Sequence, residues 1–95
     1  MRSISWADAA LADLAKIDDW YAERDPDYAA KIGFAAIEAT SFLARFPLAG
    51  PLIALDIRKW PVPGTDYRIL YCLTDTLVEV VRIRHSREDW QSELE

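Results

Sequence analysis

The residues Arg24-Asp25-Pro26-Asp27 decide how the first half of the chain folds. Pro26 cannot continue a helix that arrives through Asp25, because its ring lacks an N–H and clashes with the preceding turn. Proline does suit the first turn of a new helix, where Asp25 can accept hydrogen bonds from the free backbone N–H groups. The sequence therefore predicts that one helix ends near Arg24 and that a second helix begins at Pro26.

The segment before Asp25 has the apolar spacing of an amphipathic helix. Ser5 predicts an N-cap, and Asp8, three residues later, completes an acidic form of the capping box. Apolar residues then recur every three or four positions, which predicts a helix over Ala7–Arg24 with its acids, Asp13 among them, mostly outside the apolar stripe. The stripe consists of Ala7, Ala10, Leu11, Leu14, Ile17 and Tyr21.

The segment after Asp25 carries a second stripe and ends at another proline signal. A residue before proline avoids the α region, so Phe46-Pro47 ends the helix, which is predicted to span Pro26–Arg45. Two helices with almost no loop between them must be antiparallel neighbours, and small Gly33 and Ala36 predict their close approach. The stripe consists of Ala29, Ile32, Gly33, Ala36, Ile37, Thr40 and Leu43.

Beyond Pro47 the apolar period changes to two, which predicts strands. Ile53, Leu55 and Ile57 alternate with more polar neighbours, while residues 60–66 contain two prolines and a glycine and predict a connection. Further strands are predicted at Tyr67–Leu73 and Leu77–Arg84, with a turn at residues 74–76. A short strand over residues 3–5 opens the chain, and the polar residues 86–95 predict a short helix or a loop.

These elements predict an α+β fold for residues 1–95 as a single domain. A short N-terminal strand precedes an antiparallel helical hairpin, which packs on a small antiparallel β-sheet in the order β-α-α-β-β-β. The expected core consists of Leu11, Leu14, Ile17, Ile32, Ile37, Ile57, Ile69, Val81 and Ile83.

The last two strands predict one basic face on the sheet. A turn of odd length centred on Asp75 pairs Leu73 with Leu77, Ile69 with Val81, and Arg68 with Arg82. A turn of even length would place Arg68 opposite Ile83 and mix the two faces. The predicted basic face carries Arg58, Arg68, Arg82 and Arg84, with His85 just beyond. It is either a solubilising surface or a contact surface for a target.

Composition narrows the classes of function. The net charge of −5 makes direct DNA binding by this chain alone a poor expectation. A single histidine and a single cysteine give no metal-ligand set, and three glycines provide no phosphate loop, so neither a metal nor another cofactor is expected. No apolar run is long enough for a membrane span and no signal peptide opens the chain, so we expect a soluble cytoplasmic protein.

Two segments carry a resemblance to a known family. They are Pro63-Gly64-Thr65-Asp66-Tyr67-Arg68-Ile69-Leu70-Tyr71 and Val80-Val81-Arg82-Ile83-Arg84-His85-Ser86-Arg87-Glu88-Asp89-Trp90. Together with Asp25-Pro26 and Phe46-Pro47, they resemble the RelE/ParE family of type II toxins. The resemblance implies a toxin that a cognate antitoxin neutralises. RelE-like members cut messenger RNA on the ribosome, whereas ParE-like members inhibit DNA gyrase by binding.

The resemblance also implies roles for particular residues. In a ribonuclease, Arg68, Arg84 and His85 would supply cations and an acid–base group. The position after His85 holds serine where many RNA-cleaving members have tyrosine, and the chain is acidic, so the ParE-like branch is favoured and no residue is assigned as catalytic. A decayed toxin that survives as a regulatory subunit is a third reading. Candidate target contacts are Arg58, Arg68, Arg82, Arg84, His85, Arg87 and Trp90, and candidate antitoxin contacts are Trp6, Trp20, Phe34 and Phe42.

Overall fold

The computed structural model describes residues 1–87 and has the predicted α+β architecture. Of the tail predicted at residues 86–95, residues 88–95, including Trp90, lie outside the described residues. Two helices pack on a sheet whose strands stand in the order β1-β5-β4-β3-β2. The elements are β1 (Ser3–Trp6), α1 (Asp8–Ala22), α2 (Pro26–Arg45), β2 (Leu52–Ala54), β3 (Ile57–Pro61), β4 (Tyr67–Leu73) and β5 (Leu77–His85). In the described part of the chain, no helix has the length and apolarity needed to cross a membrane.

The helix boundaries follow the proline signals. Asp25 caps α2, because its carboxylate accepts a hydrogen bond from the N–H of Tyr28 at 3.1 Å. The predicted Ser5 cap is wrong: Ser5 pairs with Glu79 inside the sheet, and α1 begins after Ala7 without a side-chain cap. Gly33 does not mediate the helix contact either, because a Cβ atom added there would meet nothing within 4 Å. Ala36 is buried and belongs to the same core cluster as Ala10 of α1.

The sheet joins the two ends of the described chain. β1 runs parallel to β5, with Ser3 opposite Leu77 and Trp6 opposite Val80, whereas the other neighbouring strands are antiparallel. Because β1 ends at Trp6, the part of β5 beyond Val80 has no neighbouring strand on its outer side within residues 1–87. That open edge faces α1, and the candidate site lies there.

The predicted register of β4 and β5 is wrong. Leu73 lies opposite Val78, so the turn has even length, and Thr74 closes it through its N–H to the carbonyl of Leu77 at 3.0 Å. A bulge then adds Val81 to β5, since Tyr71 pairs with Val80 while Leu70 pairs with Arg82. A bulge shifts the alternation by one residue. It therefore keeps the apolar face continuous through Val80 and Ile83.

The bulge also corrects the predicted core. Val78, Val80 and Ile83 are buried, whereas Val81 is half-buried and lies outside the main core cluster. Ile32 and Ile69 are buried as predicted, and Leu14 and Ile17 pack against the cluster. The prediction is wrong for Leu11 and Ile37, which are exposed, at 50% and 61%. Ile57 is half-buried and lies outside the cluster as well.

A tight turn divides the predicted strand around Ile53–Arg58 into the β2–β3 hairpin. Leu55 turns the chain with a φ of +44°, and β3 continues to Pro61, so Trp60 and Pro61 belong to a strand and not to a connection. Arg58 lies opposite Tyr71, a core residue, and Trp60 stacks on Phe42 of α2 with ring centroids 5.2 Å apart. The prediction that Arg58 shares a face with Arg68 is therefore wrong.

Tyr71 holds the loop that follows α2 in place through hydrogen bonds. Its hydroxyl donates to the carbonyl of Pro47 at 2.8 Å and accepts from the N–H of Gly50 at 3.0 Å. Arg58 completes this group, because its guanidinium donates to the carbonyl of Gly50 at 2.7 Å. Gly50 has no room for a side chain, since a Cβ there would lie 2.6 Å from the Tyr71 hydroxyl and still closer to the carbonyl of Lys59.

Candidate functional site

A carboxylate from α1 closes the open edge of β5. Asp13 accepts a hydrogen bond from the backbone N–H of Ile83 at 3.0 Å, which satisfies a donor that β1 is too short to reach. The same carboxylate binds Arg82 through two hydrogen bonds, at 2.8 and 3.0 Å, and Arg84 through one at 3.3 Å. We call Asp13, Arg82 and Arg84, with the Ile83 N–H, the edge cluster.

Two members of the edge cluster are buried, whereas the third, Arg82, is half-buried. Asp13 is 7% exposed and Arg84 is 8% exposed. Burial alone would raise the pKa of Asp13, but the hydrogen bonds from Arg82 and Ile83 and the charges of Arg82 and Arg84 outweigh it. The pKa of Asp13 therefore lies below its ordinary value of 3.8. The carboxylate is charged at neutral pH and offsets one of the two guanidinium charges.

A cleft of about 360 Å³ lies beside the edge cluster, between α1 and the ends of β4 and β5. Lys16 adds a further cation to its wall, and Trp20 and Tyr67 add aromatic surface. The guanidinium of Arg24 covers the ring of Trp20, with its central carbon 3.7 Å from the ring centroid. The full lining is Asp13, Lys16, Ile17, Trp20, Tyr67, Arg82, Ile83 and Arg84.

The three residues proposed for RNA cleavage, Arg68, Arg84 and His85, lie together at this end of the sheet. Arg68 is the cross-strand neighbour of Arg84, and His85 lies opposite Tyr67. The rings of His85 and Tyr67 meet edge to face with centroids 5.3 Å apart, and His85 Nδ1 accepts from the N–H of Arg87 at 3.2 Å. Arg82 belongs to the same end of β5, but Arg58 does not, because it binds Gly50 on the other face.

The predicted antitoxin contacts are spread over the molecule. Trp6 is half-buried and packs against the core, so its ring is part of the fold. Trp20 and Phe34 are exposed, at 56% and 71%, on α1 and α2 respectively. Phe42 is 40% exposed and lies near the end of α2, where it stacks on Trp60.

Sequence reasoning missed Asp13, although it is the residue that organises the site, because it groups Asp13 with the solvent-facing acids of α1. The spacing carried a usable signal: Asp13 lies three residues after Ala10 and four before Ile17, within the stripe that faces the sheet. An acid inside an apolar stripe predicts a buried partner of opposite charge.

Cys72 remains a structural residue in this geometry. Its thiol lies 3.7 Å from the carboxylate of Glu79. Burial and the nearby negative charges, Glu79 first among them, raise the pKa of the Cys72 thiol. A thiol whose pKa is raised carries little thiolate at neutral pH, so Cys72 is poorly suited to act as a nucleophile.

The sequence and the fold have counterparts among known proteins. The family model described as the ParE toxin of the type II toxin–antitoxin system, parDE, matches residues 4–90. The chain therefore belongs to the ParE toxin family of type II systems, within the RelE/ParE superfamily that its sequence resembles.

Individual relatives are similar over nearly their whole length. The toxin RelE2 of Caulobacter vibrioides is 35% identical over 86 residues, which cover 90% of this chain and 97% of that protein. The chromosomal ParDE system from P. aeruginosa contains a chain with the same fold, at a TM-score of 0.77 and 24% identity, covering 90% of this chain and 96% of that one. The RelBE2 toxin–antitoxin complex from Mycobacterium tuberculosis matches at a TM-score of 0.61 and 25% identity, covering 88% of this chain and 96% of that one.

Proposed function

We propose that this chain is the toxin of a type II pair, that a cognate antitoxin holds it, and that it acts by binding DNA gyrase without cutting RNA. The observation that supports this mechanism is that the guanidinium of Arg84 is buried and paired with Asp13. An arginine that stabilises a phosphate in a cleavage reaction must present its guanidinium to the substrate. Arg84 is 8% exposed, and its guanidinium lies against the carboxylate of Asp13.

The surroundings of Arg84 support a binding surface over a catalytic one. Asp13 is charged at neutral pH and offsets the positive potential that a phosphate would need. Arg82 is engaged by the same carboxylate at 2.8 Å. A cleft with cations, one acid and aromatic walls suits recognition of a protein surface, where arginine and aromatic residues contribute most of the binding energy.

An RNA-cleaving toxin is the second candidate, and one observation favours it. Arg68 lies directly across the ladder from Arg84, and His85 follows Arg84 on β5. These three residues supply the cation and acid–base types that transfer of a ribose 2′-hydroxyl to phosphorus needs. In this reading, substrate binding would have to draw Arg84 away from Asp13.

An antitoxin would find apolar surface on the helical hairpin. Phe34 and Ile37 are 71% and 61% exposed and lie three residues apart, so they share one side of α2. Leu11 on α1 is 50% exposed. Exposed apolar residues in this number mark interaction surfaces on soluble chains. The RelBE2 relative is itself a toxin–antitoxin complex, which supports the assignment of such a partner here.

The two target mechanisms separate in a paired assay. The purified chain is added to a gyrase supercoiling reaction and, separately, to a ribosome-bound messenger RNA. We expect supercoiling to be inhibited and the RNA to stay intact. Arg68→Glu should weaken gyrase inhibition because it reverses a charge at the basic end of the sheet, whereas Lys31→Glu on α2 is the matched control that should leave inhibition unchanged.

His85→Ala distinguishes the candidates further. For a gyrase-binding toxin it should change inhibition little, whereas loss of an acid–base group in a ribonuclease lowers the rate by roughly 10²–10⁴-fold. Ribosome-dependent RNA cleavage by the unaltered chain, lost in His85→Ala, would establish the second candidate and reject the first. Absence of growth inhibition, together with stable complex formation, would identify a non-toxic regulatory subunit.

A further inference from the structure

A second concave surface lies at the far end of α2, away from the edge cluster. It encloses about 510 Å³ and is lined by Phe42, Phe46, Pro47, Leu48 and Ala49, with Arg2 and Arg45 at its rim. Phe42, Phe46 and Leu48 are 40%, 53% and 68% exposed. We call this surface the α2-end pocket.

The α2-end pocket is held in shape by the buried interior of the protein. Its floor loop runs from Pro47 to Ala49, and Tyr71 binds both sides of that loop through the carbonyl of Pro47 and the N–H of Gly50. Phe42 is held by stacking on Trp60 and by contact with Phe46, whose ring centroid lies 5.0 Å away. A pocket ordered before binding loses less conformational entropy when a ligand enters it.

The charges at the rim differ from those of the molecule as a whole. The chain carries a net charge of −5, yet among the described residues that line the pocket the charged ones are Arg2 and Arg45. The carbonyls at the end of α2 oppose an approaching anion, but those of Phe42 and Ala44 already accept hydrogen bonds from Phe46 and Arg2. The local field therefore favours negative groups around an apolar centre.

We infer that the α2-end pocket docks a peptide segment of a partner protein in which one bulky apolar residue is flanked by acidic residues. The apolar side chain enters between Phe42, Phe46 and Leu48, and carboxylates meet Arg2 and Arg45. A basic segment would be repelled at the rim, and an uncharged one would gain nothing from the two arginine charges. The α2-end pocket is separate from the edge cluster and from the Phe34–Ile37 surface proposed above for an antitoxin, and it shares only Phe42 with the antitoxin contacts predicted from the sequence. The inference does not rest on either of those proposals.

A peptide-display selection tests this inference. A random peptide library is panned on the immobilised chain after depletion on the double variant Arg45→Glu/Leu48→Ser. We expect the enriched sequences to combine acidic residues with one large apolar residue. Enrichment of basic or uncharged sequences, or no enrichment over the depleted variant, would overturn the inference.

Binding of one enriched peptide then measures each contribution. Leu48→Ser should lower its affinity roughly tenfold, because an apolar contact is lost. Arg45→Glu should lower it by about twofold to fivefold, with most of that effect disappearing at high salt. Phe34→Ser and Lys31→Glu alter exposed residues of α2 outside the pocket and should leave the affinity unchanged.

Two further measurements locate the bound peptide and test for self-association. Amide NMR shifts on peptide addition should be largest at residues 42–49, and melting temperatures of the variants should match the unaltered chain. Light scattering reports whether the pocket instead joins two copies of this chain. A dimer that Leu48→Ser dissociates, or shifts confined to the edge cluster, would reject the inference.

Discussion

Two buried polar centres connect the helical layer to the sheet, and they use different chemistry. At one end, the carboxylate of Asp13 binds two guanidinium groups and a strand N–H. At the other, the neutral hydroxyl of Tyr71 bridges Pro47 and Gly50. Both satisfy backbone groups that secondary structure leaves without partners. The Asp13 carboxylate lies beside a polar cleft, whereas the Tyr71 hydroxyl holds the loop that lines an apolar pocket.

The largest effect should come from removing the charge of the first centre. Asp13→Asn leaves Arg84 buried with its charge no longer offset by that carboxylate, and breaking a buried ion pair by removing one partner costs about 3–5 kcal/mol. Urea unfolding of the variant and the unaltered chain measures the difference. Asp18→Asn changes an exposed acid on the same helix and should alter the free energy of unfolding by less than about 0.5 kcal/mol. Equal effects of the two substitutions would show that the edge cluster does not stabilise the fold.

Acid should weaken the same centre and leave the other intact. Because the pKa of Asp13 is lowered on folding, its stabilising contribution is fully present above its ordinary pKa of 3.8 and is lost as the pH falls below that value. Burial raises the pKa of Tyr71 above its ordinary value of 10.0, so Tyr71 keeps its proton over the whole acidic range. The stability difference between the unaltered chain and Asp13→Asn should therefore shrink below pH 3.8. A difference that stays constant into that range would contradict this account.

Removing the neutral centre should have a smaller effect. Tyr71→Phe keeps the ring but leaves the buried N–H of Gly50 without its acceptor, which costs about 1–3 kcal/mol. Thermal unfolding measures the loss, and the effect should not depend on acid. Tyr21→Phe is the matched control, since the Tyr21 ring packs edge-on against Tyr28 with centroids 4.9 Å apart and should retain that contact. A loss equal to that of Asp13→Asn would mean that the two centres do not differ as described.

The smallest expected effect lies at the hairpin tip, outside both centres. Leu55 is 96% exposed at a φ of +44°, a conformation that costs a side chain with a Cβ atom about 1–2 kcal/mol and glycine nothing. Leu55→Gly should therefore raise the free energy of unfolding by up to about 1 kcal/mol, after the entropy lost by glycine. Combined with Tyr71→Phe, the two changes should add, because they share no partner. Strong non-additivity would reveal coupling through β3.

The parts of the fold that were predictable depend on local chemistry. Asp25-Pro26 and Phe46-Pro47 locate the boundaries of α2 because proline restricts the backbone wherever it stands. The β2–β3 turn escaped prediction because Leu55 and Asp56 give no glycine, proline or asparagine signal. Because this turn was not predicted, Arg58 was assigned to the face of the sheet that carries Arg68, whereas it lies on the face that carries Tyr71.

The register failed for a different reason. A turn of even length at Thr74 conflicts with the alternation of β5, because it would mix the two faces. The bulge at Val81 removes that conflict. No local feature of the sequence Val80-Val81-Arg82 predicts a bulge there. The candidate site was predictable only in part. Arg68, Arg84 and His85 could be identified from the sequence of β4 and β5, but the pairing of Arg84 with Asp13 depends on packing between segments that are distant in the chain.

The parallel pairing of β1 with β5 has a consequence for synthesis of the chain. Ser3 leaves the ribosome early, but its partner Leu77 is made only after both helices and three further strands. Asp13 likewise cannot form its hydrogen bond with the N–H of Ile83 until residue 83 has been synthesised. Contacts between such distant positions slow folding, because a long segment must be ordered before they form. A chain interrupted before β5 therefore leaves β1 without its only ladder in the described structure, and the sheet of residues 1–87 is complete only once β5 has been made.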